Sequence, residues 1–220
     1  MKNLLFFSVL IVILSAAACR KECPPDVKIG DKPLSEKSLR FFSYSGHPKL
    51  VFKDQTGQEL LFTSPEGVQT EINKIAVYKQ CTEAKFDGNS SYKYFEGTSK
   101  SISFFSQPAQ FSIDFGLYTT ILRPEQELFY DKLIVGVSGT GSVGRGELVT
   151  DIRFPDSFDD AELNITDSLT YIDTLTLNGQ LFTEVYQTNS FEGRRVYYNK
   201  DKGIVGFKTL DRVYHLDRIE

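Results

Sequence analysis

Apolar and polar residues alternate along most of this chain, and a period of two marks strands with one covered face. "LRFFSY" precedes "KLVFKD", the turn "QTG" and then "QELLFTS", which together read as a hairpin with a short Gly-containing loop. "INKIAVYKQ" follows. Ser64-Pro65 ahead of Val68, Ile72 and Ile75 also fits the opening of a short helix and is the one helix candidate. "YKYFEG", "SISFFS", "AQFSIDFGLYTTIL", "LFYDKLIVGVS" and "GELVTDIRF" continue the strand pattern with turns between them.

The sharpest local signal is "YIDTLTLNGQLFTEVYQ". Asn178-Gly179 between β-rich flanks predicts a type I′ turn, because both central positions need positive φ. That turn sets the register, with Leu177 facing Gln180, Leu175 facing Phe182 and Tyr171 facing Tyr186. Asp173 then falls opposite Glu184, where like charges destabilise a strand pair. A basic neighbour is expected there, Arg194 or Arg195.

"RRVYYNKDKGIVGFKTLDRVYHLDRI" predicts three more strands joined by short loops, and hence antiparallel neighbours. No helical period separates the strands, which disfavours parallel βαβ units. The expected fold class is all-β and mainly antiparallel. It comprises one curled sheet, sandwich or barrel-like, with at most one or two short helices. The pairs Phe41-Phe42, Phe104-Phe105 and Tyr197-Tyr198 send one ring to each face of a strand. One of each pair enters the core, and its partner meets solvent, a second layer or a ligand.

The pattern breaks at the start. Lys2 precedes an apolar run, Leu4 to Leu14, interrupted only by Ser8, and then Ser15, Ala16, Ala17 and Ala18 lead into Cys19. The run falls short of the roughly 20 residues that a membrane-spanning helix needs, and it has the layout of a secretory signal. Small residues set directly against a cysteine resemble a bacterial lipobox, although Ala16 stands where leucine is commonest. That resemblance implies cleavage before Cys19 and acylation of its thiol; simple secretion is the other reading. Stable attachment takes more than one acyl chain. Arg20, Lys21 and Glu22 partly resemble a surface-export tag, or form a charged, solvated tether. The expected organisation is a signal peptide at 1–18, a Pro-rich tether at 19–37 and a single β-rich domain at 38–220.

Composition adds little. The formal net charge is −4, and losing Lys2 takes it one unit lower. A mild acidic excess argues against nucleic acid, whose binding proteins show a basic footprint. The 18 Phe and 11 Tyr favour strands. Of the three cysteines, the proposed anchor leaves Cys23 and Cys81. In an oxidising envelope that even remainder suggests a disulfide fastening the tether to the body; two unpaired thiols are the alternative.

Candidate chemistry is sparse. "GTGSVG" at 139–144 matches G-x-G-x-x-G in form, but β-like "RGELVTDIRFP" follows where a dinucleotide site requires a helix. It reads as a glycine-rich hairpin loop. "GVSGT" has Thr140 where a nucleophile elbow needs its last glycine. His47 and His215 are the only histidines, too few for a zinc site without scattered carboxylates. Asp156, Asp159, Asp160 and Glu162 offer oxygen ligands without the spacing of a calcium loop, so a solvated acidic turn is expected. No cofactor and no metal is implied, and no enzyme is expected; a cryptic hydrolase would need convergent carboxylates or His215 in a cleft.

The quoted C-terminal strands, with the lipobox-type signal, are similar to the close of many uncharacterised surface lipoproteins of Gram-negative bacteria. The resemblance covers the signal and about the last fifty residues. It implies an outer-membrane address, with the membrane engaged through Cys19, and carries no activity with it. The first reading is a non-enzymatic envelope protein whose β body binds a partner protein, surface polymer or envelope component. A second reading is a carrier holding an acyl chain in a curved sheet, which requires an apolar cavity of about 300 Å³ or more. From the cysteine count, the intact mass of the de-lipidated mature protein is expected to rise by two hydrogens on reduction. Equal masses before and after would leave Cys23 and Cys81 as thiols.

Overall fold

The computed structural model describes residues 23–82, 89–107, 109–139, 142–154, 167–190 and 192–220. They divide into two compact units, residues 23–30 with 76–95 and residues 31–75 with 96–220. Thirteen strands form one antiparallel sheet: β1 (Val27–Lys32), β2 (Lys49–Lys53), β3 (Glu59–Thr63), β4 (Gln69–Thr82), β5 (Ser90–Ser106), β6 (Phe111–Arg123), β7 (Leu128–Ser138), β8 (Ser142–Arg153), β9 (Leu169–Leu177), β10 (Gln180–Thr188), β11 (Arg195–Asn199), β12 (Gly203–Lys208) and β13 (Val213–Ile219). The one α-helix described, α1 (Glu36–Leu39), is a single turn capped by Ser35, whose hydroxyl accepts from the Ser38 amide at 3.1 Å.

In the smaller unit, β1 and β4 both pair with β5. Cys23 and Cys81 form a disulfide across 58 residues, with their Cα atoms 5.5 Å apart. The Asp26 carboxylate accepts from the Tyr92 amide at 3.0 Å.

In the larger unit the strand order is β8-β7-β6-β5-β3-β2-β13-β12-β11-β10-β9. The sheet curls until its end strands meet through hydrogen bonds beside β9. Ser168 N donates to Glu147 O at 3.0 Å, Glu147 N to the Ser168 hydroxyl at 2.7 Å, and Val149 N to Asp167 at 2.8 Å. The result is a nearly closed, barrel-like sheet of eleven strands. Alternation fills its interior: the register sets Ile113 against Val137, Phe115 against Val135 and Leu117 against Leu133, all buried. Leu50, Phe52 and Phe62 supply the same layer from β2 and β3.

Residues before β2 complete that interior. Leu34, Phe42 and Tyr44 join the core cluster, and the Tyr44 ring lies 5.0 Å from Phe115 and 5.1 Å from Phe104. Burial pushes the Tyr44 phenol far above its ordinary pKa, so it stays neutral, and its oxygen accepts from Ile204 N at 2.8 Å. Tyr198, fully buried, donates in turn to Phe41 O at 2.8 Å. Gly203 turns beneath the Tyr44 phenol with φ +79°, and a Cβ there would collide with it.

A buried ion pair fastens the same segment. The Asp131 carboxylate, fully enclosed, accepts from Ser35 N (2.9 Å), Thr119 Oγ1 (2.8 Å) and the Arg153 guanidinium. Arg153 also donates to Pro33 O at 2.7 Å, and the Thr150 hydroxyl reaches the Ser38 hydroxyl at 2.8 Å. A buried charge is tolerated only when paired and hydrogen-bonded, and this one has both.

Several expectations change. The stretch read as a tether to residue 37 carries β1 and α1, because Leu34 has a core to enter and Asp131 waits for the Ser35 amide. The helix candidate after Ser64-Pro65 is a turn instead. Gly67 adopts φ +64°, Val68 N donates to Gly46 O at 2.9 Å, and β4 starts at Gln69. "YKYFEG" and "SISFFS" belong to one strand, β5.

Tyr44→Ala is expected to lower stability by about 3–5 kcal/mol, the range for a large core ring. Tyr44→Phe is expected to cost about 1–3 kcal/mol, because the Ile204 amide loses its buried acceptor. Urea midpoints measure both, and an unchanged midpoint in Tyr44→Ala would show that the sheet needs no filling from this segment.

Candidate functional site

Two concavities are described in the larger unit, one at the strand ends and one on the outer face of the sheet. At one rim of the larger unit, turn 209–212, Arg194 and the first residues of β6 and β8 converge. They surround a cleft of about 280 Å³ lined by Phe111, Val143, Arg194, Leu210, Arg212 and Tyr214, with Thr209 and Asp211. The floor is aromatic. Tyr214 stacks on Phe207 at 4.6 Å, and Phe111 lies 5.5 Å from Phe207 and 6.0 Å from Tyr214. Leu210, 58% exposed, forms an apolar lip.

The turn that carries Leu210 is fixed by its own hydrogen bonds. Thr209 N donates to Arg212 O at 2.9 Å, and Arg212 N donates to the Thr209 hydroxyl at 3.1 Å. Arg212 is then aimed by loop 54–58, donating to Asp54 Oδ2 at 3.0 Å and Gln58 Oε1 at 3.1 Å. Asp54 is buried and also accepts from the Thr56 hydroxyl (2.6 Å), Thr56 N (2.8 Å) and Gln58 N (3.0 Å). These bonds, the Thr56 hydroxyl foremost, hold its pKa below the usual carboxylate value. Arg194 pairs with Glu192 at 3.6 Å. An aromatic floor with guanidinium walls suits stacking and hydrogen bonding to a bound group.

A second concavity, about 210 Å³, lies on the face of β5 to β8 away from the core. Gly116 and Gly136 form its floor, with the Tyr118 ring folded over Gly116 and Arg145 beside Gly136. The Ser103 hydroxyl donates to Asp114 at 2.9 Å on its edge. Burial raises the Tyr118 phenol.

The residues singled out from the sequence scatter. Cys19 lies outside the described residues, as do Asp156, Asp159, Asp160 and Glu162. Cys23 and Cys81 stand together in the disulfide. His47 Nδ1 lies 3.4 Å from Ser64 O. His215 Nδ1 lies 3.1 Å from the Asn178 amide, with its pKa lowered by desolvation. Among the described residues, no group of three or more His, Cys, Asp or Glu is placed to hold a metal ion. In "GTGSVG", Val143 and Gly144 belong to β8 and Thr140 and Gly141 lie outside the described residues. Gly144 packs on Val196, as a close strand neighbour would.

The Asn178-Gly179 turn has φ +51° and +85°, and the expected register holds along β9 and β10. The expected cation does not: Arg195 donates to Gln187 at 2.8 Å, and Arg194 takes Glu192. Glu184 instead adopts φ +53°, and the Tyr171 phenol hydrogen-bonds Asp173. The rim cleft was not foreseen, since its residues come from four separate segments. The nearest signal was Leu210 in a short turn, an apolar residue where a polar one is the rule.

No family model, no curated protein and no solved structure matches this chain.

Asp54 gives the rim a pH dependence with a defined sign. Its folded pKa is depressed, so its contribution is full above the unfolded carboxylate value of about 3.9 and is lost as pH falls through the folded value. Asp54→Asn is expected to unfold at lower urea than the wild type at pH 7, with the gap closing below about pH 4. A gap independent of pH would show that the hydrogen bonds matter and the charge does not.

Proposed function

We propose that this chain is a lipid-anchored bacterial envelope protein, acylated at Cys19, whose β body is a binding module for a partner protein or surface polymer. The observation that carries the binding assignment is the filled interior. Phe42, Tyr44, Phe104, Phe115 and Tyr198 occupy the centre of the curled sheet, leaving recognition to its surface. This favours a surface binder over a carrier that houses an acyl chain inside. The rim cleft supports the same reading, with aromatic and guanidinium groups that serve recognition.

Support for the envelope address comes from two features. The signal-like start ends in small residues against Cys19. A Cys23–Cys81 disulfide, four residues past the proposed anchor at its near end, suits an oxidising compartment. Lipid on Cys19 would keep the body beside the membrane.

In cells fed a tagged fatty acid, the wild-type protein is expected to carry the label and fractionate with outer membranes. Cys19→Ala is expected to lose both. A wild-type protein that stays unlabelled would overturn the anchor.

A further inference from the structure

β4 (Gln69–Thr82) presents an open edge, and among the described residues it pairs with β5 alone. Gln69 to Lys74, Ala76 and Tyr78 to Gln80 are exposed, including Ile72 at 70% and Tyr78 at 39%. A long exposed edge is a template for another strand. Its sequence decides which strand fits.

We propose that β4 pairs antiparallel with β4 of a second copy, about a two-fold axis at Ile75. Such an axis, perpendicular to the sheet, leaves every side chain on its own face, and each contact occurs twice. Centred on Ile75, the register sets Glu71 of one copy against Lys79 of the other. It sets Ile72 against Tyr78, the two most exposed large apolar residues of the strand, and Ile75 against itself. Opposite charges and aromatic with β-branched pairs are the combinations that stabilise antiparallel neighbours.

Neighbouring registers lack this match. Centring on Lys74 sets two lysines against each other, and centring on Ala76 sets Glu71 against the disulfide-bonded Cys81 and Ile72 against Gln80. Glu71 is the strand's only acidic residue, and Lys79 is the only basic residue that shares its face. The Ile75-centred register is therefore the one that joins opposite charges.

The test is cysteine cross-linking of the full chain in membranes. Opposed residues in an antiparallel pair bring their Cα atoms within disulfide reach. Under mild oxidation Ile75→Cys is expected to give a dimer band on a non-reducing gel, several-fold stronger than Ile72→Cys, which faces Tyr78. Adding Glu71→Lys to Ile75→Cys should weaken the band several-fold, and Lys79→Glu on top should restore it. Equal bands at positions 72 and 75, or no rescue by the double reversal, would overturn the pairing. So would an Ile75→Cys chain that stays monomeric, the outcome expected if a segment of another protein occupies the edge.

Discussion

Eleven strands curled toward closure enclose more space than their own inward side chains fill. Eight strands give an interior just wide enough for side chains, and the diameter grows with strand number. Here the extra volume is taken by Leu34, Phe42 and Tyr44, delivered from the segment between β1 and β2. Those rings satisfy their polar atoms on the sheet, Tyr44 at Ile204 N, while Tyr198 returns the favour at Phe41 O. The Asp131–Arg153 pair then holds the entry of the segment through Ser35 and Pro33. Filling and fastening are one requirement, since a ring can occupy the interior only if its chain is held at the right depth.

Much of this was legible because strands and tight turns are local. Alternation located most strands, and Asn178-Gly179 set a register that the structure keeps from Leu177–Gln180 to Leu169–Thr188. What escaped was non-local. "KPLSEK" reads as polar linker because its buried apolar residue, Leu34, has a partner set far along the chain. Asp131 falls on the inward side of its strand with Leu133 and Val135, yet a carboxylate there is recognisable as a buried anchor only when Thr119 and Arg153 are placed around it. The rim cleft escaped for the same reason.

The aromatic pairs show how a local rule can hold while its simplest consequence fails. Tyr197 and Tyr198 do point to opposite faces, yet both are buried. Tyr198 enters the main core, whereas Tyr197 joins a second cluster with Leu177, Phe182, Val185 and Val205. The outer face there is covered by the β9–β10 hairpin. β10 pairs with β11 only over Val185 to Gln187, and its positive φ at Glu184 marks the bend beyond which the hairpin leaves the ladder. The tip then lies on β12 and β13, with Leu177 against Gly206 and the Asn178 amide donating to Val213 O at 2.9 Å. A second layer, one of the three fates open to the outer ring, is built from the chain's own hairpin.

That covering has a consequence for recognition. The hairpin hides the outer face of β11 to β13, and β13 and the turn before it deliver Tyr214 and Arg212 to the rim. Asn199, whose amide donates to Thr183 O at 2.7 Å, ties the bend of the hairpin to the end of β11. Arg212 is already engaged by Asp54, so an anionic group entering the cleft meets a cation whose charge is largely answered. For a ligand bound at this rim as proposed, selectivity would rest on shape and stacking against Phe111 and Tyr214 more than on net charge. Salt dependence should accordingly be weak for a ligand held there, because the charged groups it meets are compensated within the protein.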